Sequence, residues 1–174
     1  MHLRPQIKDP NFLRLYDHWQ SIRMERPVPL RADIDPTAIG RSLRYVWLYE
    51  YLDEEDTYRC RLAGEHIQEA FKRSMSGLLI NQIYSPDIAA LVRGYWDKMR
   101  NARAIVHGES ISPAKDDNTY LRSQRLMLPL ASEDGAIRHI FGMTRYDFDT
   151  FDFDISTGID GSHLDIIPCA DLED

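Results

Sequence analysis

The stretch Tyr58-Arg59-Cys60-Arg61-Leu62-Ala63-Gly64-Glu65-His66-Ile67-Gln68-Glu69-Ala70-Phe71 changes its periodicity halfway along. In its first half, apolar side chains at Tyr58, Cys60 and Leu62 alternate with two arginines, which is typical of a strand with one buried face. From Gly64 onwards, the apolar residues recur at helical spacing. This pattern predicts a strand that turns at a glycine into a short helix, which then folds back over the sheet.

The composition is that of a globular protein with a single core. The chain has 174 residues, of which 43% are hydrophobic and 28% charged, and this length favours one domain. The two cysteines, Cys60 and Cys169, form neither a disulfide framework nor a metal-ligand motif. No apolar run approaches the length of a membrane span. We therefore expect a cytoplasmic protein that does not enter a membrane.

The charge is distributed unevenly along the chain. All 21 Lys and Arg residues lie within residues 1–146, whereas residues 147–174 carry nine acidic residues and no Lys or Arg. A nearly neutral body with an acidic end offers no basic field for phosphates, so we expect no nucleic-acid partner. Residues 149–174 are interpreted as an acidic C-terminal tail. Within it, Phe151, Phe153 and Ile155 alternate with polar residues as in a short strand.

The chain begins with an amphipathic helix over residues 9–26, because Asp9-Pro10 is a capping pair and an apolar stripe follows. A second helical turn is expected from Asp35-Pro36 to about Gly40. Five strands are predicted near residues 45–52, 57–63, 104–111, 120–130 and 136–146, with a long helix near 87–101. The stripe of the first helix contains Phe12, Leu15, Tyr16, Trp19 and Ile22.

Several short motifs occur in order along residues 12–146. They are Trp19 and Arg23, Arg31-Ala32-Asp33-Ile34-Asp35-Pro36, Arg61-Leu62-Ala63-Gly64, Gly77, and Leu128-Pro129-Leu130 before Asp134-Gly135. With the order of helices and strands, they resemble the PAS sensory-domain family, in particular a bacterial variant that is essentially a single PAS domain. The resemblance implies an α+β fold with a five-stranded antiparallel sheet, helices on one face, an N-terminal capping helix and a small cavity. The domain would span residues 1–148.

The resemblance also allows cofactors to be considered. Haem-binding relatives take an axial ligand from the long helix, but residues 86–102 contain neither His nor Cys. Flavin photosensors of this fold carry a reactive Cys in the short helix after the second strand, and residues 65–71 contain none. We therefore expect no haem, no flavin and no metal site, while an unidentified small molecule remains compatible with the fold.

A ligand pocket is predicted from the inner stripe of each element, with polar residues orienting the ligand. By the same alternation, Arg59, Arg61, Ser123, Arg125 and Met127 are placed on the opposite face of the sheet. The predicted pocket residues are Tyr58, Leu62, Ile67, Phe71, Ile88, Val92, Trp96, Gln124, Leu126, Leu128, His139, Phe141 and Met143.

Three functions remain open at this point. The first is a non-enzymatic sensor or regulatory module that acts through a small molecule, through contact with an unknown signalling protein, or through both. The second is a small α+β enzyme in which His66 or His139 is the base. The third is a ligand-free dimeric adaptor. We expect a homodimer held by the apolar stripe of the first helix, with Trp19 near its centre.

Overall fold

An antiparallel sheet forms the centre of the protein, and helices pack on both of its faces. The computed structural model describes residues 3–113, 119–148, 151–152 and 163–172. Short 3₁₀ segments lie at Arg4–Gln6, Arg31–Asp33, Gly40–Tyr45 and Cys169–Asp171. The helices are α1 (Pro10–Arg23), α2 (Pro36–Ile39), α3 (Glu65–Phe71), α4 (Ile80–Ile83) and α5 (Pro86–Ala102). The strands are β1 (Val46–Leu52), β2 (Thr57–Ala63), β3 (Ala104–Pro113), β4 (Thr119–Ala131), β5 (Ile137–Tyr146), β6 (Phe151–Asp152) and β7 (His163–Pro168).

The strand order is β2-β1-β5-β4-β3-β7, and the two-residue β6 pairs with β4. Every pair is antiparallel. The predicted fold class is confirmed, and each of the five predicted strands is present with its ends within two residues of the prediction. The sheet differs from the prediction in having two further strands, both from the segment interpreted as a tail.

The two faces of the sheet carry separate cores. On the α1 face, side chains of α1 such as Leu15 and Trp19 pack against Leu126, Leu128 and Phe141. On the α5 face, α3, α4 and α5 cover a second core that includes Trp96 of α5 and Met127 of β4. The helix predicted over residues 9–26 ends earlier, at Arg23, and Met24 follows it with a φ of 53°.

A β-bulge explains why Leu62 does not face the α5-face core. Leu48 pairs with Leu62 and Tyr49 pairs with Cys60, so Arg61 has no opposite residue on β1. An extra residue in one strand shifts the side-chain alternation that follows it. Leu62 is consequently 43% exposed, and its predicted place in the pocket is wrong.

Part of the predicted acidic tail belongs to the sheet. Strand β7 pairs with β3 along Ala104–Glu109, and Ile167, Cys169 and Leu172 are buried in the α1-face core. Gly108 has a φ of 149°, and a Cβ there would lie 1.9 Å from the carbonyl oxygen of His163, so this close pairing requires glycine. Phe151 forms part of β6 as the alternation predicts, while residues 153 and 155 lie outside the described residues.

Within the described ranges, no helix is both long enough and apolar enough to cross a membrane.

Candidate ligand-binding site

The residues predicted to line one cavity lie on opposite faces of the sheet. Tyr58, Ile67 and Trp96 are buried on the α5 face. The sheet separates them from four predicted partners, so the prediction that all of them line one cavity is wrong. Those four residues pack in the core beneath α1: Leu126, Leu128, Phe141 and Met143.

The pocket residues were assigned to the wrong face of the sheet because the central strands are covered by helices on both faces. Leu126, Met127 and Leu128 are all buried although they alternate between the two faces. Consecutive apolar residues do not tell which alternate set meets which helices. Ser123 and Arg125 share the face of Met127 and therefore lie on the α5 face, opposite to the prediction.

Other predicted pocket residues are divided in the same way. Phe71 and Val92 are half-buried against the α5-face core, in agreement with the prediction, and Ile88 of α5 is half-buried. Gln124 is exposed, and its amide nitrogen lies 3.2 Å from a carboxylate oxygen of Glu109. Gln124 therefore lies at the protein surface and not beside the buried residues of the predicted cavity.

His139 also lies away from the α5 face. It shares one face of β5 with Ile137 and Phe141, which belong to the α1-face core. Its side chain is 15% exposed, and its Nε2 is 3.9 Å from Glu50. Its Nδ1 atom is buried and has no hydrogen-bond partner among the residues that the structure describes. Burial lowers the pKa of this imidazole, although Glu50 acts in the opposite direction.

Aromatic side chains fill the space between α5 and the first two strands. The Trp96 ring centroid lies 4.5 Å from that of Tyr49, 5.0 Å from that of Tyr58 and 5.7 Å from that of Trp47. Tilted and edge-on contacts at these distances are favourable between aromatic rings. The region around Trp96, predicted as cavity wall, is thus a packed aromatic cluster.

At the outer edge of this cluster, Tyr58 has a polar partner. Its hydroxyl donates to Asp97 Oδ1 at 2.7 Å. The same carboxylate is approached by Arg93 at 3.2 Å and by Arg100 at 3.5 Å. Arg100 also places its guanidinium carbon 3.4 Å from the ring centroid of Tyr51. The charges of Asp97 and the two arginines therefore compensate one another, and these residues form a structural network with the two tyrosines.

A pocket of about 680 Å³ opens beside the last part of β3, the first part of β4 and the end of β5; we call it the strand-end pocket. This volume falls within the range of small-molecule sites. Two arginines and two carboxylates balance one another among the residues that line it. The described lining consists of Glu109, Ser110, Ile111, Arg122, Ser123, Gln124, Arg145, Tyr146, Asp147 and Phe148.

Two buried serines at the strand-end pocket orient an arginine. Ser110 and Ser123 lie opposite each other in the β3–β4 pair, with their hydroxyl oxygens 2.9 Å apart. Arg125 Nε donates to Ser110 Oγ at 2.7 Å and lies 3.2 Å from Ser123 Oγ. Its guanidinium carbon is 5.9 Å from the ring centroid of Tyr146. The guanidinium is therefore held in a defined orientation on the α5 face.

Two tyrosines bring their hydroxyl groups close together on the same face. Tyr49 is 2% exposed, and among the described residues its buried hydroxyl has no partner at hydrogen-bonding geometry. Burial raises its pKa well above the ordinary value, and the nearby hydroxyl of Tyr84 adds to the rise. The pKa of Tyr84 is also raised, first by burial and then by Tyr146, while Arg125 acts in the opposite direction. Both hydroxyls therefore remain protonated near neutral pH.

Trp47 covers the strand beside Arg125. A Cβ at Gly142 would lie 2.2 Å from Cζ2 of the Trp47 indole, so the ring lies directly on the glycine backbone. Its Nε1 donates to Thr144 Oγ1 at 2.8 Å. Since Thr144 pairs with Arg125 across β5 and β4, these contacts fix the sheet next to the arginine.

The histidine proposed as an alternative base has a structural contact. His66 is 8% exposed, and its Nε2 accepts a hydrogen bond from the backbone N–H of Tyr146 at 3.0 Å. Burial lowers its pKa. The nitrogen that would act as a base is therefore already used. Within the part of the chain that the structure describes, no group of three or more His, Cys, Asp or Glu side chains could hold a metal ion.

The predicted dimer stripe packs on the sheet of its own chain. Phe12, Leu15, Tyr16 and Trp19 are between 0% and 3% exposed, while Ile22 is half-buried. The indole Nε1 of Trp19 donates to the carbonyl oxygen of Pro129 at 2.9 Å. Trp19 thus anchors α1 to β4 of its own chain, and the homodimer stays a prediction.

Sequence reasoning missed Tyr49, Tyr84, Ser110 and Tyr146 as site residues. The sequence does give one indication at Arg125. A charged residue two positions from Met127, in an otherwise apolar strand, indicates that a polar partner lies nearby. Ser123 and Arg125 were recognised as sharing a face, but were assigned to the wrong one. The approach of Tyr84 depends on how α4 packs, which local periodicity does not show.

Comparison with solved structures gives similarity at low sequence identity. A sensory box sensor histidine kinase from Vibrio cholerae is 17% identical, with a TM-score of 0.41, and the match covers 59% of this chain and 81% of that one. A cysteine-to-valine variant of the fungal photoreceptor VVD is 16% identical, with a TM-score of 0.46 and coverage of 83% and 99%. A cysteine-to-serine mutant of Vivid is 15% identical, with a TM-score of 0.45 and coverage of 75% and 98%. A comparison with curated proteins gives no match.

A family model described as a PAS domain matches residues 7–145. This range includes α1 to α5 and β1 to β4 completely, and β5 to its penultimate residue. The match covers most of the chain, and the sheet has the fold class that the sequence motifs implied. The chain therefore belongs to the PAS domain family.

Proposed function

We propose that this sensory module takes a small molecule into the strand-end pocket and responds without catalysing a reaction. The observation that carries the proposal is a pocket of about 680 Å³ whose lining includes two buried serines and Tyr146. Buried polar groups beside aromatic side chains can orient a ligand and also remove its apolar part from water. This arrangement supports ligand sensing by the PAS domain.

The signal is proposed to leave through α1. Arg145 lines the pocket and forms an ion pair with Asp9. Asp9 also caps α1, because its other carboxylate oxygen accepts the Asn11 N–H at 2.7 Å. A ligand that moves Arg145 would loosen or tighten this cap, and thereby change the start of α1. The partner that receives the change would contact this end of the helix.

A ligand-free adaptor is the second candidate, and the packed aromatic cluster around Trp96 favours it. Its three ring contacts occupy the region in which the sequence predicts a cavity. An adaptor would act through its surface alone, as a homodimer or with another signalling protein. The two candidates differ in whether the strand-end pocket binds anything.

The test is a thermal-shift screen of the purified protein against a metabolite library, followed by calorimetry of each hit. Ile111→Trp places a larger side chain at the pocket lining, whereas Leu91→Trp makes a comparable change on α5 at a side chain that is 58% exposed. Sensing predicts a hit that loses at least about tenfold in affinity in Ile111→Trp and little in Leu91→Trp. A screen without hits, or hits insensitive to Ile111→Trp, would contradict sensing at this pocket.

The absence of haem and flavin stays part of this proposal. Purified protein is expected to show neither a haem Soret band nor flavin absorbance. A chromophore recovered in stoichiometric amount would contradict this prediction and move the site elsewhere.

A further inference from the structure

The imidazole of His66 contacts one wall of the strand-end pocket. Its ring centroid is 6.1 Å from that of Tyr146 and 5.0 Å from that of Phe148, and both of these residues line the pocket. The imidazole also meets the ring of Tyr45 edge-on, with 4.8 Å between the centroids. His66 is 8% exposed, so it is enclosed between α3, the 3₁₀ segment before β1 and the end of β5.

A hydrogen bond joins this imidazole to the backbone of the same wall. The Tyr146 N–H donates to His66 Nε2 at 3.0 Å, so the neutral ring carries its proton on Nδ1. His66 is the second residue of α3, and the bond therefore fixes the start of this helix to the end of β5. A protonated imidazole donates from both nitrogens and cannot accept this bond.

Tyr146 is one end of a row of paired residues that crosses the pocket. It lies opposite Ser123 in the β4–β5 pair, and Ser123 lies opposite Ser110 in the β3–β4 pair. Both serines are buried and line the pocket, with their hydroxyl oxygens 2.9 Å apart. A displacement of Tyr146 is therefore passed across the strands that form the pocket.

The groups around His66 keep it neutral near neutral pH. Burial lowers its pKa, and the charges of Arg44 before β1 and Arg145 on β5 lower it further, while Glu69 on α3 acts in the opposite direction. Arg44 also lies 3.9 Å from Glu65 of the same helix. Because the pKa is lowered, the bond from Tyr146 is complete at neutral pH and is lost as the pH falls through the lowered value.

We propose that His66 is a positioning residue of the strand-end pocket and makes the shape of the pocket depend on pH. The neutral imidazole holds Tyr146 and Phe148 in place, and the protonated imidazole releases them. This inference rests on the proposed sensing function, since it names how the pocket is regulated. A ligand of the pocket should lose at most about tenfold in affinity per pH unit as the pH falls, because a single proton opposes its binding.

The test is a titration of the ligand-free protein from about pH 8 to pH 5, followed by ¹H–¹⁵N NMR of the backbone amides and by the ring signals of the histidines. The amides of Ser123 and Ser110 lie one and two strands away from β5. Both are expected to shift with the same midpoint as the His66 ring. In His66→Gln these shifts should be lost, because glutamine offers an amide oxygen in place of Nε2 and does not titrate.

His18→Gln is the matched control. The Nε2 atom of His18 also accepts a backbone N–H, that of Asp35 at 3.0 Å, but this bond joins α1 to the start of α2. The pH response of the pocket amides should therefore remain in His18→Gln. The other histidines are present in His66→Gln, so a response that belongs to them survives that substitution. Circular dichroism at about pH 7.5 checks that both variants are folded.

The proposal is overturned if the two serine amides do not shift, if their midpoint differs from that of the His66 ring, or if their response persists in folded His66→Gln. The wild-type titration alone decides the first two outcomes, even if a variant folds poorly. The proposed sensing function fails separately, because the titration needs no ligand. If the amides respond but no library compound binds, His66 positions the pocket wall and sensing is wrong. If a compound blocked by Ile111→Trp binds equally well at about pH 7.5 and 5.5, sensing stands and the regulation is wrong.

Discussion

Replacing Tyr49 with Phe is expected to stabilise the ligand-free protein. The Tyr49 hydroxyl is buried, and it lacks a partner at hydrogen-bonding geometry in the part of the chain that the structure describes. An unsatisfied buried hydroxyl costs about 1–3 kcal/mol, and the nearby Tyr84 and Cys60 groups place the expected gain at the low end, about 1 kcal/mol. For a chain of 174 residues, this corresponds to a rise of about 2–4 °C in melting temperature.

Tyr58→Phe is the matched control, because it removes the same atom from a neighbouring ring of the aromatic cluster. The Tyr58 hydroxyl donates to Asp97 at 2.7 Å. Its removal should lower the free energy of unfolding by about 1–2 kcal/mol, since Asp97 keeps its contacts with Arg93 and Arg100. The two substitutions are therefore expected to differ in sign.

Urea unfolding of the two variants and the wild type, followed by far-ultraviolet circular dichroism, measures both changes. Thermal unfolding at the same pH provides a second estimate. The reasoning is refuted if Tyr49→Phe destabilises the protein as much as Tyr58→Phe does. In that case the Tyr49 hydroxyl has a hydrogen bond within the folded chain.

Three further predictions concern the supports of the fold. Gly142→Ala should lower the free energy of unfolding by about 1–3 kcal/mol, because the new Cβ would lie 2.2 Å from the Trp47 ring; unchanged urea unfolding would contradict that contact. Trp19→Ala should cost about 3–5 kcal/mol, because the ring is fully buried, and sedimentation that shows dimer loss at full stability would favour an intermolecular role instead. Burial lowers the pKa of His18 and His66 below 6.5, and each Nε2 accepts a backbone N–H, so their stabilisation should be complete above about pH 6.5 and decline as the pH falls below it. Urea unfolding between about pH 5 and 8 checks the sign, and stability that rises towards pH 5 would contradict it.

The order of the elements could be predicted from the sequence because each has a distinct period. The stretch from Tyr58 to Phe71 forms β2 and α3, as its change of period indicates. The long helix predicted over residues 87–101 is α5, Pro86–Ala102. Local patterning and capping residues determine such elements, so distant contacts are not needed to recognise them.

The facing of the central strands could not be predicted in the same way. Leu126 and Met127 are both buried, on opposite faces, so hydrophobicity alone does not show which face meets α5. The bulge at Arg61 reverses the alternation of side chains between the two faces just before Leu62. No residue type in that strand indicates a bulge. Strand β7 lies in the segment whose acidic charge favours a tail, because the charge pattern does not show its long-range pairing with β3.

The grouping of the candidate-site residues depends on the same assignment of strand faces. With the observed facing of β4, Ser123 and Arg125 lie with Tyr146 on the α5 face. The closeness of Tyr49 and Tyr84 arises from the packing of α4, which a one-dimensional pattern does not specify. The chemistry-bearing residues were thus visible in the sequence, but their grouping was not.

The central claim, that this PAS domain binds a small molecule in the strand-end pocket, is tested most directly by ¹H–¹⁵N NMR of the labelled protein with pooled metabolites. Ligand sensing predicts that at least one pool shifts the backbone amides of Ser110, Ser123 and Tyr146, while that of Leu91 on the outer side of α5 is unchanged. If no pool shifts those amides, or if the shifts cluster away from the ends of β3, β4 and β5, the claim is contradicted.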